Sequence, residues 1–169
     1  MREAGVTSWD IDYLEAQGAG RLTPDSIELK AINEVFKDMS GRKRTSPLLV
    51  GTLKPNIGTL FHATGIAQLV KAILVLQKRW LAPNIHFSKL NHSLDAIEDL
   101  TFEFPLLDND RSDLSGREFP LVAAINTIGG DGSVTHTILS EAPLSARNSA
   151  ALLKPKKVGY PNRRSFPIT

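Results

Sequence analysis

The chain has 169 residues, enough for one domain with a core of ordinary size for that length. Its 41% hydrophobic and 22% charged content places it among globular chains and excludes a disordered one. A net charge of +2 is too small to imply a nucleic-acid partner, and the absence of cysteine excludes disulfides, zinc–thiolate sites and a thiol nucleophile. The basic residues gather in Arg42-Lys43-Arg44 and in a tail with Lys154, Lys156, Lys157, Arg163 and Arg164, read as a solvated loop and a solvated tail. No apolar signal segment follows Met1, and the longest apolar stretch, Gly65 to Leu76, is broken by Gln68 and Lys71 and too short for a bilayer. These features predict a soluble cytoplasmic protein with no membrane contact.

Trp9 to Leu14 alternates apolar and polar residues and predicts a half-buried strand, ended by the turn Gln17-Gly18-Ala19-Gly20. Asp25 or Ser26 is the expected cap of a helix carrying Ile27, Ala31, Ile32, Val35 and Phe36 at helical spacing. A charged loop, Ser40 to Ser46, leads to Leu48–Leu53, an apolar run suited to a strand buried on both faces. Lys54-Pro55-Asn56-Ile57-Gly58 then opens a long helix from about Thr59 to Arg79, closed by Pro83, with apolar residues on more than one face and so expected to be buried. Asn84 to Arg117 reads as irregular, with short strands at Ile85–Phe87 and Thr101–Phe104. Phe119–Asn126 and Thr135–Leu139 read as strands joined by Gly129-Gly130-Asp131-Gly132-Ser133, a hairpin with positive-φ glycines. The order describes an α/β layered unit with helices covering a sheet.

Taken singly, the motifs are weak. Gly18-Ala19-Gly20 lacks the third glycine of a dinucleotide fingerprint, Lys54 lacks the glycines of a phosphate-binding loop, and His62, His86, His92 and His136 show no metal spacing. No metal site is expected.

Taken in order, they are specific. Glu15-Ala16-Gln17-Gly18-Ala19-Gly20-Arg21-Leu22-Thr23-Pro24-Asp25-Ser26-Ile27-Glu28 resembles the condensing-enzyme motif Glu-Ala-His-Gly-Thr-Gly-Thr-x-x-Gly-Asp-Pro-Ile-Glu. Leu53-Lys54-Pro55-Asn56-Ile57-Gly58-Thr59 resembles Val-Lys-Ser-Asn-Ile-Gly-His, and Ala63-Thr64-Gly65-Ile66-Ala67 continues as that family's helix does. Leu76 to Phe87 is similar to the family's stretch ending Pro-Pro-Asn-x-x-Phe, and Ala123 to Pro143 resembles its closing glycine-rich hairpin, with His136 and Glu141-Ala142-Pro143 in matching places. Tyr160-Pro161-Asn162-Arg163-Arg164-Ser165-Phe166 looks like the linker that follows condensing domains in modular polyketide synthases. The chain thus resembles the C-terminal part of a β-ketoacyl synthase (ketosynthase) of polyketide or fatty-acid synthases. The resemblance sets a ketosynthase C-terminal region at 8–143 and a linker or tail at 144–169.

The resemblance implies a thiolase-like fold, of which the chain supplies the C-terminal half of a two-half layered (αβαβα) arrangement. It also implies partners: an N-terminal ketosynthase half on the same or a separate chain, an acyl-carrier protein whose phosphopantetheine arm carries the substrate, and dimerisation through the complete domain. No directly bound cofactor is expected. In the family a cysteine of the N-terminal half takes the acyl group, and two histidines promote decarboxylation and stabilise the oxyanion. Gln17 stands at the first histidine position and Thr59 at the second, while Lys54 is retained. Gln17 still offers an amide N–H but no acid–base function, and Thr59 only a short hydroxyl. His62, three residues after Thr59, is a candidate surrogate imidazole. Gly129, Gly130, Asp131, Gly132 and Ser133 match the family's acyl-pocket hairpin, where the aromatic is replaced by Gly130 and a charge enters at Asp131. Three readings follow: a ketosynthase-like remnant not competent for condensation, a half-domain that pairs with a separate N-terminal half to hold or transfer acyl chains, and a docking module for carrier protein or synthase domains.

Overall fold

The computed structural model describes residues 1–37, 44, 46–87, 100–107 and 112–143. Residues Arg42 and Lys43, the 144–169 tail with its Tyr160–Phe166 motif, and His92 lie outside the described residues. The elements in chain order are β1 (Tyr13–Glu15), α1 (Leu22–Phe36), β2 (Leu48–Gly51), α2 (Lys54–Ile57), α3 (Thr64–Lys78), β3 (Phe102–Glu103), β4 (Val122–Ile128) and β5 (Val134–Ser140). The strands form one sheet in the order β3-β2-β1-β4-β5. All pairings are parallel except β4 with β5, which run antiparallel across the hairpin.

The central strands are apolar runs because both faces are covered. Leu14, Leu48, Val50, Val122 and Ala124 pack with Ile32 and Phe36 of α1. Tyr13, Leu49, Ala123 and Ile125 pack with Ala72, Val75 and Leu76 of α3. The sheet therefore lies between two helical layers, as expected for an α/β unit.

Several boundaries differ from the sequence reading. The first strand is shorter than Trp9–Leu14, because Thr7 and Asp10 cap each other's backbone and wind Ser8–Asp10 into a 3₁₀ turn. Helix α1 starts at Leu22, ahead of the expected cap. Pro24 fits the first turn because no N–H is needed there, and Asp25 serves from inside the helix by accepting from the Arg21 N–H at 3.1 Å. Of its apolar residues, Ile32 and Phe36 are buried, whereas Ile27 and Val35 face outward.

The single helix expected from Thr59 to Arg79 is broken. Gly58 ends the short α2 with φ 77° and ψ −173°, a conformation open essentially to glycine alone. A 3₁₀ turn at Phe61–Ala63 follows, and α3 then runs to Lys78, closed by Arg79 in the left-handed region rather than by Pro83. Nor is α3 buried all round: Ile66, Val70, Ile73 and Leu74 are exposed. Ile85–Phe87 is a turn, with His86 at φ 60°. In the hairpin loop only Gly132 has a positive φ, at 84°, because a single left-handed residue suffices to return the chain.

Candidate functional site

In a parallel sheet the loops leaving the carboxyl ends of the strands converge where neighbouring connections diverge to opposite sides. Here β1 is flanked by β2 and β4, so the loops after Glu15, Gly51 and Ile128 meet at one end of the sheet. These loops carry Gln17, Lys54 and the Gly129–Gly130 turn. They enclose a cavity of about 510 Å³ lined by Gln17, Lys54, Thr59, His62, Gly129 and Gly130 among others. Residues separated by more than a hundred positions in sequence thus share one wall-to-wall site.

The contacts within it are backbone-directed. Lys54 Nζ donates to the Gln17 carbonyl oxygen. The Gln17 side chain straddles Ile128, donating from Nε2 to its carbonyl at 3.2 Å and accepting from its N–H at 3.5 Å. An amide has two N–H donors, so one remains for a ligand. Burial lowers the Lys54 pKa, opposed by the nearby carboxylates of Glu28, Asp25 and Glu15. Asp131, Gly132 and Ser133 make the turn beyond the wall rather than the wall itself. Asp131 Oδ1 accepts from Ser133 N at 3.0 Å and Ser133 Oγ at 2.7 Å, folding the loop back toward Gly129.

Further residues complete the site without having stood out in the sequence. The Glu28 carboxylate accepts from the Gln17 and Gly18 N–H groups at 2.8 and 3.0 Å, pinning the turn from α1. Gln68 of α3 donates to the carbonyls of Ala16 and Asn126, both at 3.0 Å, and accepts from Thr127 Oγ1 at 2.8 Å. It thereby ties together the ends of β1 and β4. Phe61 lines the same cavity. Glu28 lay in plain view inside the motif after Glu15, but its partners are 11 and 10 residues away and no helical period connects them. A second cleft of about 670 Å³ adjoins on the β2 side and shares Ala19, Glu28, Lys54 and Thr59. Among the described residues, no group of three or more His, Cys, Asp or Glu side chains is placed to hold a metal.

Residues 1–88 match the family model of the β-ketoacyl synthase C-terminal domain. The chain is 41% identical over 149 residues to the probable polyketide synthase 17 of Dictyostelium discoideum, spanning 86% of this chain and 5% of that protein. It is 35% identical over 143 residues to a non-reducing polyketide synthase, stbA, of Stachybotrys bisbyi, spanning 85% of this chain and 6% of that one. Among solved structures, ketosynthase twelve of the bacillaene polyketide synthase of Bacillus amyloliquefaciens superposes with a TM-score of 0.72 at 30% identity, covering 84% of this chain and 24% of that chain. An oxazolomycin ketosynthase domain, OzmH KS7, of Streptomyces albus gives 0.68 at 32% identity with the same coverages. The fold is thiolase-like, and the matches are to a small portion of each relative. The chain belongs to the β-ketoacyl synthase C-terminal domain family, as found in the ketosynthases of polyketide synthases.

Proposed function

We propose that this chain supplies the C-terminal part of a polyketide-synthase ketosynthase whose pocket holds an acyl chain delivered on carrier protein but does not carry out decarboxylative condensation. One observation carries the reading: Gln17 and Thr59, which stand at the family's two histidine positions, line the same cavity as the retained Lys54. In this reading the positions of a condensing site stay together in one cavity while its acid–base groups are replaced. Neither an amide nor an aliphatic hydroxyl takes up or releases a proton near neutral pH, so neither replaces imidazole. The free Gln17 N–H and the remaining Lys54 N–H donors still suit a thioester carbonyl. His62 reaches the cavity as well, from the 3₁₀ turn before α3.

An N-terminal ketosynthase region, on the same or another chain, completes the pocket in this reading. The outward face of α3 supports it, since Ile66, Val70, Ile73 and Leu74 are left in solvent. We place the assembly in the cytoplasm. Among the described residues, no helix is long and apolar enough to cross a membrane.

The test is release of carbon dioxide from malonyl-carrier protein by this chain assembled with an N-terminal condensing region. The wild-type assembly is expected to stay at background, and Gln17→His/Thr59→His to rise above it. Robust release by the wild type overturns the proposal.

A further inference from the structure

The cavity between the ends of β1 and β4 is built unequally. On the hairpin side, Thr127 and Ile128 line it, and beyond them Gly129 and Gly130 present no side chains. Phe61 lines the same cavity, with φ 47° and the residue 81% exposed. A bulky residue rarely occupies the left-handed region, and a lone aromatic ring gains nothing from facing water. Both costs fall on one residue, which is a pattern found where a fold holds a group in place for a ligand. The surroundings fix it: Gly58 sets the chain direction upstream, and Phe61 opens the 3₁₀ turn that runs straight into α3, whose first residue, Thr64, is buried.

The hairpin could have carried the ring instead. A side chain added at Gly130 meets nothing within 4 Å, and Gly130 is not left-handed, so nothing there requires glycine. Beyond Thr127 and Ile128 the sequence leaves the hairpin without a side chain in the cavity and supplies an aromatic at Phe61 instead. The groups able to bind a thioester carbonyl, Gln17 and Lys54, are half-buried, whereas the ring stands at the exposed rim.

We infer that Phe61 is the specificity-determining wall of this cavity, packing against the apolar chain of an acyl thioester whose carbonyl lies toward Gln17 and Lys54. The inference rests on the acyl-holding reading above and adds the residue that selects for chain length.

The test is binding of hexanoyl- and acetyl-N-acetylcysteamine thioesters to the chain assembled with an N-terminal condensing region, followed by calorimetry and by amide shifts at Thr127 and Gly129. The hexanoyl thioester is expected to bind more tightly than the acetyl one. Phe61→Ala is expected to weaken hexanoyl binding about tenfold and acetyl binding little, the loss corresponding to one aromatic contact face. Phe61→Gly relaxes the backbone while removing the same ring, and the same loss there assigns the effect to the ring rather than to strain. Phe61→Ala/Gly130→Phe is expected to regain hexanoyl affinity from the hairpin. Unchanged hexanoyl affinity in Phe61→Ala overturns the inference, as does a loss that comes from failure to assemble with the N-terminal condensing region. If the wild type binds neither thioester, the acyl-holding reading itself fails, and the inference with it.

Discussion

Glu15 is fully buried in the middle of the sheet and stays there because of its partners. Lys71 Nζ of α3 lies 2.8 Å from its Oε2, and the Tyr13 hydroxyl donates to the same oxygen. Burial pushes the Glu15 carboxyl above its ordinary value of 4.5, while the Lys71 charge and these hydrogen bonds pull it back. A pair of this kind adds little net stability over an apolar core, but breaking it strands a charge. Lys71→Met is therefore expected to cost about 3–5 kcal/mol in urea unfolding at neutral pH, and Glu15→Gln/Lys71→Met to recover much of it. The sign with pH follows from the raised folded pKa. A carboxyl raised on folding contributes stability that is fully present below the unfolded value and lost as pH rises through the folded one. The Lys71→Met deficit should then shrink as pH falls from 7 toward 4.5, the ordinary value. A deficit independent of pH would show that Glu15 is not the stranded group.

Gly58 decides whether the segment after β2 is one helix or three pieces. With φ 77° and ψ −173°, and nothing within 4 Å of an added Cβ, its requirement is conformational and not steric crowding. Gly58→Ala is expected to lower stability by about 1–3 kcal/mol, whereas Gly130→Ala, open and not left-handed, should stay within about 0.5 kcal/mol. Paired thermal melts check both. The same glycine explains what the sequence made legible and what it did not. The buried run Leu48–Gly51 and the hairpin of β4 and β5 were readable because two-sided burial and a glycine turn leave marks in adjacent residues. Leu60 through Leu76 keeps an apolar helical period across a break, because periodicity reports which residues are apolar and is blind to φ. Gln17, Lys54 and Thr59, singled out by the order of motifs, line one cavity. Glu28, Gln68 and Phe61 were not singled out, since each acts through a partner or a strained dihedral that only the folded chain supplies.

At the scale of the whole chain, the sheet is covered on both faces but its second helical layer is only half used. Ile66, Val70, Ile73 and Leu74 recur along α3 at helical spacing and are 61%, 50%, 39% and 49% exposed. They form an apolar stripe with no charge among them, so neither solvation nor repulsion keeps a second surface away. The solved ketosynthases that match this chain are about four times its aligned span, with 24% of their length covered, so most of their fold lies outside the matched segment. By itself the 169-residue chain is thus expected to self-associate, its sedimentation coefficient rising with concentration. Val70→Glu/Leu74→Glu places two carboxylates on the outward stripe without touching the buried residues Ala72, Val75 and Leu76, and should give a concentration-independent monomer. The same variant should fail to bind an N-terminal condensing region if that region covers α3. A wild-type chain that is monomeric at every concentration and melts cooperatively would mean that the stripe is tolerated in water. Variant and wild type pairing equally with the N-terminal region would move the seam off α3 altogether.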